Sequence, residues 1–84
     1  MRRVVVKHFT GSMADNPAVA RRLARKIRGS IAQRQCLLLD FEGTIATSEV
    51  LEALVEVASP SMVRFCGLAP ALQEFVRSRQ KELS

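Results

Sequence analysis

Apolar and polar positions along this chain keep two different periods, and each change of period marks an element. Residues 4–9 (V-V-V-K-H-F) are a short Val-rich run with basic flanks, which predicts a strand. Residues 10–16 hold Gly11, Ser12, Asp15 and Asn16 and read as a loop. Val19, Leu23, Ile27 and Ile31 then recur every four residues, with Ala20 and Ala24 beside them, which predicts a helix with one apolar stripe. Asn16 offers an N-cap side chain, and Pro17 suits the first helical position. Arg21, Arg22, Arg25, Lys26 and Arg28 take the other faces. Gly29 and Ser30 either end the helix or merely weaken it, so its end is expected between Arg28 and Gln33.

Residues 36–41 give the second strand. Cys36, Leu37, Leu38 and Leu39 run without alternation, the pattern of a central parallel strand covered on both faces. A second helix is expected over residues 48–58, with Val50, Leu51, Leu54, Val55 and Ala58 inward. Ser59, Pro60 and Ser61 break it, residues 62–66 (M-V-R-F-C) form a third strand, and Gly67 ends that strand. Ala69 and Pro70 open a third helix with Leu72, Phe75, Val76 and Leu83 on its inner side; its polar tail, residues 77–84, is expected to fray. The order is βαβαβα. Helical connections of this length join parallel strands by right-handed crossovers, so the fold class is α/β with a small, mostly parallel sheet.

Eighty-four residues allow one domain, spanning 1–84, with a thin and largely aliphatic core, since Trp and Tyr are absent and Phe occurs four times. No run approaches the length of a membrane span, and the N-terminal apolar run stops at Lys7, too short for a signal-peptide core. A cytoplasmic protein without membrane contact is expected. Cys36 and Cys66 stand apart and read as reduced thiols; with His8 the single histidine, neither a metal site nor a cofactor is expected. Charge is segregated. Residues 1–35 hold nine Lys and Arg against the single Asp15, while residues 36–63 hold five acids and no base. One helix is basic and the next is acidic.

The segment L-L-L-D-F-E-G-T (37–44) places an acid at the end of the central strand, where α/β domains build their sites. It resembles the first motif of haloacid dehalogenases, hhhh-D-x-D-G-T. That resemblance implies Asp40 as nucleophile and Glu42 in place of the second acid, at a magnesium site. The partners of that chemistry are missing: no Asp follows Asp40, and the only later Lys is Lys81. Asp40 instead reads as a loop organiser that accepts backbone N–H groups from residues 43–47.

A second resemblance covers nearly the whole chain. The order of strand, basic helix, L-D-F-E-G (39–43), short hydroxyl loop, apolar helix, short strand and final helix resembles STAS domains, especially the bacterial STAS-like branch with its signature v-x-L-D-F-x-G-V-x-x-I-x-x-S-F. Thr47 and Ser48 fall where those domains place the serine that opens the next helix. Thr47 stands where anti-sigma factor antagonists have Asp, and Glu49 where they have a small residue. The resemblance implies a non-catalytic regulatory module of bacterial signalling. Such a module docks a protein partner of the GHKL ATPase/kinase class through Gly43, Thr44, Thr47, Ser48, Glu49, Glu52 and Glu56, and Ser48 or Thr47 is its phosphoacceptor.

Each of these residues also has a plainer role. Ser48 or Thr47 caps a helix, Gly43 serves a turn at positive φ, and Glu49, Glu52 and Glu56 form one solvated acidic stripe. A basic surface is the natural partner of that stripe, and the chain's own Arg-rich helix in a second copy is one, so a homodimer is open. The rival function is nucleic-acid binding through Arg21, Arg22, Arg25, Lys26 and Arg28, assisted by Arg2, Arg3 and Arg34. No aromatic side chain interleaves that cluster to stack on bases.

Overall fold

Three parallel strands carry the core: β1 (Arg2–Val5), β3 (Leu37–Asp40) and β5 (Val63–Cys66), in the order β1-β3-β5. Val4, Leu39 and Phe65 stand abreast across the sheet, as do Leu37 and Val63, and all five are buried. The computed structural model describes the backbone of residues 1–83 and the side chains of residues 1–82; the inward placement expected of Leu83 lies outside the described residues.

Helices α2 (Pro17–Ala32), α3 (Ser48–Val57) and α4 (Pro70–Leu83) form one layer, α2 beside α3 and α3 beside α4. Leu23 and Ile27 of α2, Leu51, Leu54 and Val55 of α3 and Val76 of α4 join the strand residues in a single core. The stripe at every fourth residue of α2 thus does what its spacing predicts. Asn16 caps this helix, its Oδ1 accepting the Val19 N–H at 3.0 Å, and Pro17 opens it. Gly29 and Ser30 do not break it: Ser30 is buried, and the chain turns only at Arg34, where φ is 57°.

The sheet is covered on one face only. By register its other face carries Arg3, Val5, Leu38, Asp40, Arg64 and Cys66, of which only Asp40 is buried. The unbroken Leu run of β3 therefore does not signify helices on both sides, because Leu38 is half-buried between its neighbours on an open face. Cys36 and Cys66 are likewise half-buried and unpaired.

The first element is shorter than its Val run suggests. β1 loses its partner where β3 ends, at the pairing of Val5 with Asp40, and Val6–Thr10 coil into the one-turn helix α1. Val6 turns into the core, and Gly11, at φ 72°, ends the turn with its N–H on the Lys7 carbonyl. The tail of α4 is also better held than its polarity implies. Arg79 pairs with Glu52, and Gln80 Nε2 donates to the Val63 carbonyl at 3.1 Å.

Candidate functional site

The loops that follow β1, β3 and β5 meet at the carboxyl end of the sheet. Two short strands there, β2 (Met13–Ala14) and β4 (Ile45–Ala46), pair in parallel and zip the loop after β1 to the loop after β3. The Ile45 N–H reaches the Ser12 carbonyl at 2.8 Å, the Thr47 N–H reaches Ala14 at 3.1 Å, and the Thr44 hydroxyl donates to Gly11 at 3.0 Å. Ala14 and Ala46 point inward and are buried, so Met13 and Ile45, directly paired on the ribbon, point out. Met13 is 44% exposed and Ile45 66%. The two side chains thus make a small apolar patch on a backbone held by hydrogen bonds.

Gly43 takes the turn conformation expected of it, with φ 80°, and its open side lies against the Lys7 side chain. Thr47 and Ser48 divide the two roles considered for them. Thr47 is half-buried and caps α3, its Oγ1 accepting the Val50 N–H at 3.3 Å. Ser48 is the first residue of α3 and is exposed.

Asp40 is tied on both oxygens. Oδ1 accepts the Glu42 N–H at 2.9 Å, and Oδ2 accepts Arg3 Nε at 2.9 Å and Arg3 Nη2 as well. The bracing N–H thus comes from Glu42, two residues on, and not from residues 43–47; the second partner lies across the sheet on β1. The Glu42 N–H, followed by the Arg3 guanidinium, holds the Asp40 carboxyl below the usual carboxylate range. Beside it, burial and then the Asp40 charge push the Cys66 thiol up. Gly67, at φ 75°, lets the chain pass this knot: a Cβ there would lie 2.5 Å from the Glu42 nitrogen and 2.7 Å from Asp40 Oδ1. Glu42 itself is exposed. Among the described residues no group of three or more His, Cys, Asp or Glu converges as metal ligands, and no helix is long and apolar enough to cross a membrane.

No family model, curated protein or solved structure matches this chain.

The three glutamates of α3 do not act as one stripe. Glu52 turns toward α4 and pairs with Arg79, whereas Glu49 and Glu56 line a cleft of about 570 Å³ between α2 and α3. The cationic cluster of α2 is divided too. Arg21, Arg25 and Arg28 form the opposite wall of that cleft, and Lys26 lies with its Nζ 5.5 Å from the centre of the Phe9 ring. Arg22 is exposed and does not line the cleft. Arg3 is committed to Asp40, while Arg2 and Arg34 are exposed.

Met13 and Ile45 were not legible as site residues. Each is a single apolar residue between small ones, in S-M-A (12–14) and T-I-A (44–46), and two residues are too few to show a strand period. The shared triplet form of the two loops is the one trace of their pairing.

Proposed function

We propose that this protein is a non-catalytic regulatory module that docks a protein partner through residues 43–56. Gly43 and Ser48 of the loop would take part, with Glu49 and Glu56 of α3; Thr44 is buried with its hydroxyl on Gly11, the Thr47 hydroxyl serves the cap and Glu52 is held by Arg79, so these three support the surface from behind. The observation that carries this reading is the exposed pair Met13 and Ile45 on the hydrogen-bonded β2–β4 ribbon, which leads into Ser48 at the start of α3. A preformed apolar knob with a polar rim is what a docking surface needs, because little ordering entropy remains to be lost on binding. The STAS-like resemblance supplies the partner class, a GHKL-type ATPase or kinase, and bacterial cytoplasmic signalling as the setting.

Ser48 is the phosphoacceptor in this reading, since its hydroxyl is exposed while that of Thr47 is engaged in the cap. A phosphate adds roughly −1.5 to −2 charge at neutral pH. The N-terminus of α3 tolerates it, and the adjacent Glu49 makes the modified surface strongly negative. Docking onto an acidic partner would then switch off.

The test is calorimetric titration of a GHKL-type ATPase from the same genome into the purified chain. Saturable binding, lost in Ile45→Asp and in Ser48→Glu while thermal melting is unchanged, is the expected result. Binding indifferent to both substitutions would remove residues 43–56 from the interface. Steeply salt-dependent DNA or RNA binding, abolished by Arg21→Glu with Arg25→Glu, would put the nucleic-acid alternative first. Hydrolysis of a phosphorylated metabolite that disappears in Asp40→Asn would end the non-catalytic reading.

A further inference from the structure

The cleft between α2 and α3 has two charged walls of opposite sign. Arg21, Arg25 and Arg28 recur at i, i+4 and i+7 along one side, and Glu49 and Glu56 stand seven apart along the other. Both rows therefore span two helical turns, about 10 Å. The floor is made of small side chains, chiefly Ala20, Ala24 and Ala53, with Val50 and Val57. Asp15 also lines the cleft, at its end beside the start of α2, and none of the six charged side chains forms an ion pair, within a wall or across the cleft. A groove that sets two complementary rows on either side of an apolar floor is built to receive something between them.

We propose that this cleft seats an amphipathic α-helix of a protein partner. Its apolar stripe lies on the alanine floor, an acidic flank faces the arginines of α2, and a basic flank faces Glu49 and Glu56. The inference rests on the reading of α3 as a docking element and names the shape and charge pattern of what docks there. A helix suits the cleft because its backbone N–H and C=O groups are already paired. An extended peptide would bury its own against helices that offer no free backbone. Large apolar side chains of the visitor complement the small ones of the floor. A second copy of this chain fits poorly: cleft against cleft would trap a void. Nucleic acid would meet the glutamate wall.

The experiment measures fluorescence anisotropy with three labelled, helix-stabilised peptides of about four turns. All share one leucine stripe and differ in their flanks: Glu on one and Lys on the other, Lys on both, or Glu on both. The mixed-flank peptide is expected to bind about tenfold tighter than either uniform one. In the double variant Glu49→Lys with Glu56→Lys, preference should pass to the peptide with Glu on both flanks. Ala53→Phe fills the floor and should abolish binding of every peptide without lowering the melting temperature. Equal affinities for the three peptides, no binding by any, or binding that survives Ala53→Phe would overturn the proposal. So would sedimentation showing that these cleft substitutions dissociate a dimer of this chain. Ile45 lies outside the cleft, so Ile45→Asp should leave peptide binding intact. ATPase docking lost at Ile45 with no peptide binding sinks the cleft alone, and peptide binding without any ATPase docking sinks only the partner class.

Discussion

At the scale of single residues, the knot at Asp40 decides how the carboxyl end of the sheet is held. Its oxygens are shared between the Glu42 N–H and Arg3, and both partners favour the charged form. A folded value depressed below the unfolded one means that the stabilisation is fully present above the ordinary carboxylate range. It is lost as pH falls through the depressed value. Chemical denaturation of the wild type between pH 7 and pH 3 should therefore show a loss of stability setting in below about pH 4. Asp40→Asn should be less stable by about 1–2 kcal/mol at neutral pH and lose that part of the acid dependence. An unchanged acid limb in Asp40→Asn would assign the acid sensitivity to other carboxylates. Thr47 and Ser48 separate in the same way. Thr47→Ala removes the cap of α3 and should cost about 1 kcal/mol in denaturant unfolding, whereas Ser48→Ala, which touches no cap, should be nearly neutral. Sequence places a cap at one of these two hydroxyls but cannot choose, because the choice depends on where the β4 pairing hands the chain to the helix. The partner of Asp40 is hidden for a different reason: Arg3 lies 37 residues away and meets it only through strand register.

Among the elements, those with several turns of consistent period are legible and those decided by a neighbour are not. The stripe of α2 and the apolar positions of α3 follow from spacing alone, and both helices begin at the caps their sequences offer. Of the run at residues 4–9 only Val4 and Val5 are strand, because β3 provides pairing only as far as Asp40, and β1 instead starts earlier, at Arg2. α4 shows the reverse, a polar segment kept helical by what it covers. Gln73 Nε2 donates to the Phe65 carbonyl at 2.9 Å and Gln80 Nε2 to that of Val63, so two glutamines two turns apart satisfy the outer edge of β5. Replacing both with Leu strands those carbonyls beneath the helix and should lower stability by about 2 kcal/mol, read as a shift in the urea midpoint. A midpoint unmoved by the double substitution would mean that water serves the edge equally well.

For the whole molecule, the consequence is asymmetry: one covered face and one open, one guarded edge and one bare. β3 lies between two partners, whereas β1 has an outer side that no described element pairs. The Arg2 N–H is directed at Cys36, so alternation along the strand turns the Arg3 and Val5 amides outward. This topology fixes an order of opening. The Leu39 amide, deep in the central ladder, should exchange with solvent deuterium only through global unfolding, while Arg3 and Val5 should exchange at least about a thousandfold faster. The amides of β4 are the more telling ones. Ile45 and Thr47 donate to Ser12 and Ala14, so protection there reports whether the two loops stay zipped in the free protein. Rigid display of Met13 and Ile45 requires Ile45 and Thr47 to exchange far more slowly than the exposed turn at Gly43. Exchange at the rate of an open loop would show the ribbon forming only on contact, and docking would then carry an ordering cost that the preformed knob is built to avoid.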